Sequence, residues 1–263
     1  MSRDSDRFTV LHLSDVHATE REPLHGVVDG AKRLELAGEF ALANGITPEA
    51  VIVTGDLIQR GNPGAYPSVE RACKRLETLV RAPVLTVLGN HDDAEAARSL
   101  PGHAERHYGA ETVGDYRIVR LDSSSRALGA EQLTWLRREL ERPHGRGTIL
   151  ALHHAPLGSP MPVLRRQGLA DAPQLLEAIA ASDVRAILAG HFHHSLAATL
   201  GGFPVFVAPA LAYHQVMDAG PDTVAGHDTP MCSLVQFTEA GVTSTPIELR
   251  HPEPIFTQPA TGG

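Results

Sequence analysis

The stretch Phe8-Thr9-Val10-Leu11-His12-Leu13-Ser14-Asp15-Val16-His17 decides how the rest of the chain is read. Six residues of strand-forming, mostly apolar character end abruptly in Ser, Asp and His. That is the pattern of a buried strand delivering polar side chains at its carboxyl end. The pattern recurs. Residues 51–53 lead into Thr54-Gly55-Asp56, and residues 84–88 into Gly89-Asn90-His91-Asp92. Residues 149–152 lead into His153-His154, and residues 186–188 into Gly190-His191-Phe192-His193. Residues 118–121 form one more apolar run.

Helical periods lie between these runs, so the chain reads as an α/β protein. Val69, Ala72, Cys73, Leu76, Leu79 and Val80 form an i, i+3, i+4 stripe, with Ser68 after Pro67 as its expected N-cap. Leu133, Leu136 and Leu140 repeat the period, and a third helix is expected over residues 173–181. After Gly190 the apolar pieces are short (residues 196–200, 205–207, 234–237 and 242–249) and are separated by Gly and Pro. They predict strands of a second, more antiparallel sheet. No linker composition intervenes, so residues 1–250 are expected to form one domain. Residues 251–263, with Pro252, Pro254 and Pro259, are expected to form a flexible tail. Two loops, 155–169 and 210–231, are long enough to be functional or mobile.

The chain has 263 residues, 42% hydrophobic and 21% charged, as in ordinary globular proteins. Lys and Arg total 23 against 31 Asp and Glu, a net charge of −8. That balance argues against a partner bound mainly through phosphate charge, long nucleic acids above all. Cys73 and Cys232 form no CxxC pair, which fits free thiols in a reducing compartment. The polar start Met1-Ser2-Arg3-Asp4-Ser5-Asp6-Arg7 lacks an apolar signal core, and no run is long enough to span a membrane. A cytoplasmic location is expected.

The 15 histidines carry more information than the charge. Five expected strand ends present Asp, His or Asn at the edge where α/β sheets place their sites. Asp15 and His17, and likewise His191 and His193, are two apart, so in extended chain each pair would point to one side. Gly55, Gly89 and Gly190 would let the backbone turn sharply and approach a bound ion. The donors are carboxylate, imidazole and amide, without thiolate. This set suits Mn, Fe, Zn or Co, with Mg less natural beside four imidazoles. Seven such groups exceed one tetrahedral ion and suggest two ions with a shared carboxylate.

In this order, Asp15-x-His17, Gly55-Asp56, Gly89-Asn90-His91-Asp92, His153-His154-Ala155-Pro156 and Gly190-His191-x-His193 resemble the signature of calcineurin-like metallophosphoesterases. The likeness spans nearly the whole chain, and its details are similar to the bacterial class III cyclic nucleotide phosphodiesterases. It implies a four-layer sandwich of two mixed β-sheets flanked by helices. It implies that Asp15, His17, Asp56 and His193 hold one metal and that Asp56, Asn90, His153 and His191 hold the other, with Asp56 as the bridge. It also leaves room for a homodimer.

Two cations of this kind can share a hydroxide for in-line attack on phosphorus. They leave the centre at about +2 despite the acidic chain. Asn90, His91 and His193 are the expected phosphate contacts. His91 is placed to assist the leaving oxygen as an acid, and Asp56 is the other catalytic candidate. His154 is expected behind His153 rather than on a metal. Where many relatives carry an acidic residue able to support the histidine of the Gly-Asn-His motif, this chain has Gln59, although Asp92 follows His91.

Ser123-Ser124-Ser125 lacks a nucleophile elbow and reads as a loop. Arg165 and Arg166 read as a solvated pair that could clamp a phosphate. Tyr213 and His214 could stack on a base, line the pocket or form a dimer contact. The expected activity is hydrolysis of small phosphodiesters, 3′,5′-cyclic nucleotides first. A glycerophosphodiester hydrolase or a phosphomonoesterase on the same metals is the alternative. A nuclease lacks a basic, aromatic-lined stripe, and a non-enzymatic scaffold would be expected to have lost a ligand.

Overall fold

The computed structural model describes residues 7–258. The strands are β1 (Phe8–Leu13), β2 (Ala50–Thr54), β3 (Val84–Val87), β4 (Gly109–Val113), β5 (Tyr116–Arg120), β6 (Gly147–Ala151) and β7 (Val184–Ala189). They continue as β8 (Leu196–Leu200), β9 (Phe203–Val207), β10 (His214–Gln215), β11 (Gly226–His227), β12 (Met231–Phe237) and β13 (Val242–Glu248). The helices are α1 (Gly30–Ala43), α2 (Tyr66–Val80), α3 (Gly129–Glu139) and α4 (Ala172–Ile179).

Two mixed sheets result, in the orders β13-β12-β1-β2-β3 and β4-β5-β6-β7-β9-β8. Period-2 alternation divides each central strand between two cores. Phe8 and Val10 of β1, Ile52 of β2, Ile149 and Ala151 of β6, and Ala186 and Leu188 of β7 meet between the sheets. Leu11, Leu13, Val51 and Val53 face α1 and α2 on one outer side. Leu150, Ile187 and Ala189 face α3 and α4 on the other. The layers therefore run helix, sheet, sheet, helix.

The strands after Gly190 do not make a sheet of their own. β9 joins β7 in parallel, with β8 antiparallel at the edge, whereas β12 extends the first sheet antiparallel to β1 and β13 pairs antiparallel with β12 at its edge. Short apolar runs specify a strand but not the partner that completes its hydrogen bonds, and here both sheets had open edges to fill.

Helix α2 begins three residues earlier than expected, with Ala65 rather than Ser68 at the N-cap position. Pro67 occupies its first turn, where a missing N–H costs nothing, and the Ser68 hydroxyl donates to the Ala65 carbonyl rather than capping the helix. Helix α1 escapes the sequence reading because its buried face is small: Gly30, Ala37, Gly38 and Ala41 around Leu34 and Arg33. Asp29 caps it by accepting from the Lys32 N–H. Edge strand β4 is equally faint, because Gly109-Ala110-Glu111-Thr112-Val113 shows no apolar–polar alternation.

Of the expected C-terminal tail, residues 251–258 carry no helix or strand, and residues 259–263 lie outside the described residues, as do residues 1–6 of the polar start. No helix among the described residues is long and apolar enough to cross a membrane. Cys73 and Cys232 are free thiols.

Candidate metal centre

The carboxyl ends of β1, β2 and β3 meet those of β6 and β7 where the two sheets abut. The chain leaves each sheet through loops that hydrogen-bond one another. Asp15 N donates to Gly55 O (3.1 Å), His17 N to Asp56 O (2.8 Å), and Gly190 N to His153 O (2.9 Å). These contacts hold an unusual backbone. Asp15, His17, Asp56, His191 and His193 all have positive φ, between 49° and 76°. The pairs Asp15/His17 and His191/His193 therefore turn through left-handed residues and are not extended chain. Such conformations cost roughly 1–3 kcal/mol per residue and persist where surrounding bonds over-determine them.

Of the three glycines, only Gly55 has positive φ. Gly89 and Gly190 are needed for close approach to protein groups. A Cβ on Gly89 would lie 2.2 Å from Asp56 Oδ1, and one on Gly190 1.8 Å from Ser14 Oγ.

Two groups of donor atoms form here. Asp15, His17, Asp56 and His193 converge in one, and His153, His154 and His191 in the other. Asp56 Oδ2 lies between them, 3.6 Å from His17 Nε2 and 3.4 Å from His153 Nε2. Each carboxylate divides its oxygens. Asp56 Oδ1 accepts from His91 N (2.8 Å) and Asp15 Oδ2 from His191 N (3.1 Å), so Asp56 Oδ2 and Asp15 Oδ1 are left for the centre.

The imidazoles are oriented in the same way. Nδ1 of His153 faces Thr54 O (2.7 Å), Nδ1 of His17 faces Gln59 Oε1 (2.9 Å), and Nδ1 of His193 faces Tyr213 O (3.3 Å). An oxygen acceptor at Nδ1 places the proton there and turns the Nε2 lone pair inward. His17 Nε2 and His193 Nε2 then face each other at 3.1 Å as two lone pairs. Asp15 Oδ1, Asn90 Oδ1 and Nε2 of His153, His154 and His191 are buried without hydrogen-bond partners. Convergent, unpartnered N and O donors of this kind fit transition-metal cations, which would satisfy them together.

The titration behaviour agrees. Burial lowers His17 to about 4 and His191 to about 3, so both are neutral and able to ligate near pH 7. Burial alone would raise Asp56, but the neighbouring His153 and His17 hold it well below the carboxylate range. Burial also opposes the charge on His153, yet the adjacent Asp56 prevails and lifts it to about 9. A cation held here would take the place of that proton.

Asn90 follows Gly89, whose Cα abuts Asp56, and precedes His91, whose N–H binds Asp56. His91 is half-buried and stands edge-on to His17 with ring centroids 4.7 Å apart. Its Nδ1 accepts from Arg60 N at 3.4 Å, which leaves Nε2–H as a donor. Burial lowers its pKa, against the pull of Asp56.

Gln59 thus supports His17 rather than His91. Asp92 does not reach His91 either; it accepts from Gly89 N (2.8 Å), Leu57 N (3.1 Å) and the Tyr66 hydroxyl (3.0 Å), locking the two loops together. Ser123, read from sequence as a plain loop residue, is buried, and its Oγ accepts from both His153 N (3.2 Å) and His154 N (3.0 Å). His154 joins the second donor group, while Arg165 and Arg166 are exposed on their loop. No local pattern marks Gln59 or Ser123, because each acts on a residue about thirty or more positions away.

Residues 8–195 match the family model described as calcineurin-like phosphoesterase. The chain is 35% identical over 250 residues to a probable cyclic nucleotide phosphodiesterase of Rhodococcus erythropolis, covering 91% of this chain and 83% of that one. It is 35% identical over 261 residues to a cAMP/cGMP dual specificity phosphodiesterase of Mycobacterium tuberculosis, covering 95% and 82%. The fold is similar to that of a dimetal phosphatase from Danio rerio, with TM-score 0.60 and 14% identity over 92% of this chain and 99% of that one.

Proposed function

This chain belongs to the calcineurin-like phosphoesterase family and is a metal-dependent phosphoester hydrolase, and on that basis we propose that it hydrolyses small phosphodiesters, 3′,5′-cyclic nucleotides first among them, at a centre of two transition-metal ions. The observation that carries this reading is the place of Asp56 Oδ2 between two sets of inward-facing imidazoles. Asp15, His17, Asp56 and His193 would hold one ion, and Asp56, Asn90, His153 and His191 the other, with Mn or Fe the best match to the donors and Zn or Co close behind. Ions so held supply positive charge to the phosphate oxygens and make water acidic enough to serve as the nucleophile near neutral pH.

The chain's own groups do the rest. His91, neutral with Nε2–H, hydrogen-bonds a phosphate oxygen or the departing alkoxide, and the proton that the alkoxide takes up as the P–O bond breaks comes from solvent water. Asn90 and His193 border the place the phosphate takes. Asp56 keeps both halves of the centre in register through Oδ2 while its Oδ1 holds the His91 backbone. His154 packs its ring 4.3 Å from that of His191 and positions it. Family relatives act on small phosphodiesters by their names, and the acidic surface disfavours long nucleic acids.

The test is elemental analysis of the purified protein paired with rates on cyclic AMP, bis(p-nitrophenyl) phosphate, glycerophosphodiesters and p-nitrophenyl phosphate, with Mn, Co, Zn or Mg added. Two ions per chain and preference for cyclic AMP support the reading. Preference for the monoester or for glycerophosphodiesters overturns the substrate assignment.

A further inference from the structure

The geometry points to a nucleobase site beside the centre, in the cavity of about 380 Å³ lined by Tyr213, His25, Val27, Val28, Val224 and Asp228. The inference rests on the reading of the centre given above and names the part of the substrate that lies away from the phosphate. The volume falls within the roughly 300–1,000 Å³ of small-ligand pockets.

Its position comes first. The Tyr213 ring is both a wall of this cavity and a neighbour of the donor set, with its centroid 4.3 Å from that of His193 and 6.3 Å from that of His17, stacked at 26° on the latter. A phosphate at the centre and a ring in the cavity are thus separated by about one aromatic side chain. That is the span between the phosphate and base of one nucleotide.

The wall chemistry comes second. Val27 and Val224 are 61% and 57% exposed, two of only a handful of large hydrophobic side chains left in solvent among the described residues, and both border this cavity. With the face of Tyr213 they make an apolar slot suited to a flat ring. Besides His25, whose ring stands edge-on to Tyr213 at 5.7 Å, the wall carries a carboxylate. The Asp228 carboxylate is held through Oδ1 by Arg33, which leaves Oδ2 to accept from the N–H edge of a base. An adenine or guanine offers such an edge.

The slot is also pre-formed, which lowers the cost of ordering it on binding. Arg33, buried on α1, bonds the Leu211 and Ala212 carbonyls as well as Asp228, so it ties Tyr213's segment to the opposite wall. Ala212 N donates to Asp15 O (3.0 Å) and Gln215 N to His193 O (2.8 Å), which fixes that segment to the metal loops. Gly226 completes the seat, because a Cβ there would lie 2.5 Å from Tyr213 Cδ2.

Calorimetric titration of the Mn-loaded protein with 5′-AMP and with ribose 5-phosphate isolates the base. The wild type should bind 5′-AMP about ten-fold or more tightly than ribose 5-phosphate. Val224→Asp, and separately Gly226→Ala, should bring the two affinities within about two-fold while metal content and ribose 5-phosphate affinity stay as in the wild type. Equal affinities in the wild type, or a preference unchanged in both variants, overturns the base site. Sedimentation of the same samples covers the other occupant: a dimer lost in Val224→Asp with the 5′-AMP preference intact makes the valines a contact between copies and also overturns it. Metal content and bis(p-nitrophenyl) phosphate hydrolysis in the wild type report on the centre separately. Loss of both there refutes the reading of the centre, whereas an intact centre without base preference refutes this site alone.

Discussion

Gln59 Oε1 lies 2.9 Å from His17 Nδ1, and this bond sets which nitrogen of His17 faces the centre. An amide oxygen accepts at Nδ1, so Nε2 carries the lone pair. Gln59→Leu should weaken binding of the ion shared by Asp15, His17 and His193 by roughly 10–100-fold, the range seen when such supporting bonds are lost. Gln59→Glu should retain it. Metal titrations of the two variants check this, and equal affinities in Gln59→Leu and wild type would refute the role.

Asp56 and His91 separate metal loading from turnover. Asp56→Ala removes the oxygen that lies between both imidazole sets, so the variant should purify without its ions and without activity. His91→Ala should keep both ions and lose roughly 10²–10⁴ in kcat. Elemental analysis beside steady-state kinetics distinguishes the two, and a metal-free His91→Ala would show that its ring ligates.

Ser123 Oγ serves two buried backbone donors, His153 N and His154 N. Ser123→Ala leaves both without that acceptor, at about 1–3 kcal/mol each. At roughly 2–4 °C per kcal/mol for a chain of this size, the melting temperature should fall by several degrees. Affinity for the ion on His153 should fall with it. An unchanged thermogram would show that the turn stands without the hydroxyl.

His103 provides a pH test outside the centre. Burial, with help from Arg120 and His107, lowers its pKa to about 3, and its Nε2 lies 3.0 Å from Thr86 Oγ1. The folded value lies below the unfolded one, so protonation favours unfolding. Its contribution is complete above about pH 6.5 and is lost as pH falls towards 3. At about 1.4 kcal/mol per unit, the loss reaches about 2 kcal/mol by pH 5. Denaturant titrations of wild type and His103→Gln should show their stability difference narrowing in the variant's favour from pH 7 to 5. A difference independent of pH would contradict the assignment.

Chelation should act on the whole centre. Within the protein the Nε2 atoms of His17 and His193 face each other at 3.1 Å and several buried donors have no protein partner, so bound cations would satisfy them together. The melting temperature should fall on treatment with excess chelator and recover on adding Mn, since a ligand bound only by the folded state stabilises it. Identical melting curves would exclude a structural contribution from metal.

Much of this molecule was legible residue by residue. The strands that carry the centre announce themselves because an apolar run buried on both faces cannot belong to a surface loop, and the Asp, Asn and His residues at their ends follow directly in sequence. Helix α1 was not legible, since a face of Gly and Ala has little hydrophobic contrast even though it packs as tightly as one of Leu. Nor was the distribution of β8, β9, β12 and β13 between two sheets, which depends on which edges are open.

The sequence by itself determined the donor residues, their order and the strand ends that carry them, because those are local properties of alternating polarity. Only the tertiary structure decided which donors meet, which nitrogen each imidazole turns inward, and that Gln59 serves His17 while Ser123 holds His153 and His154. The left-handed turns at Asp15, His17, Asp56, His191 and His193 belong to the same class. Their strain is offset by bonds between loops far apart in the chain, and no local pattern of residues encodes a bond whose partner lies on another strand.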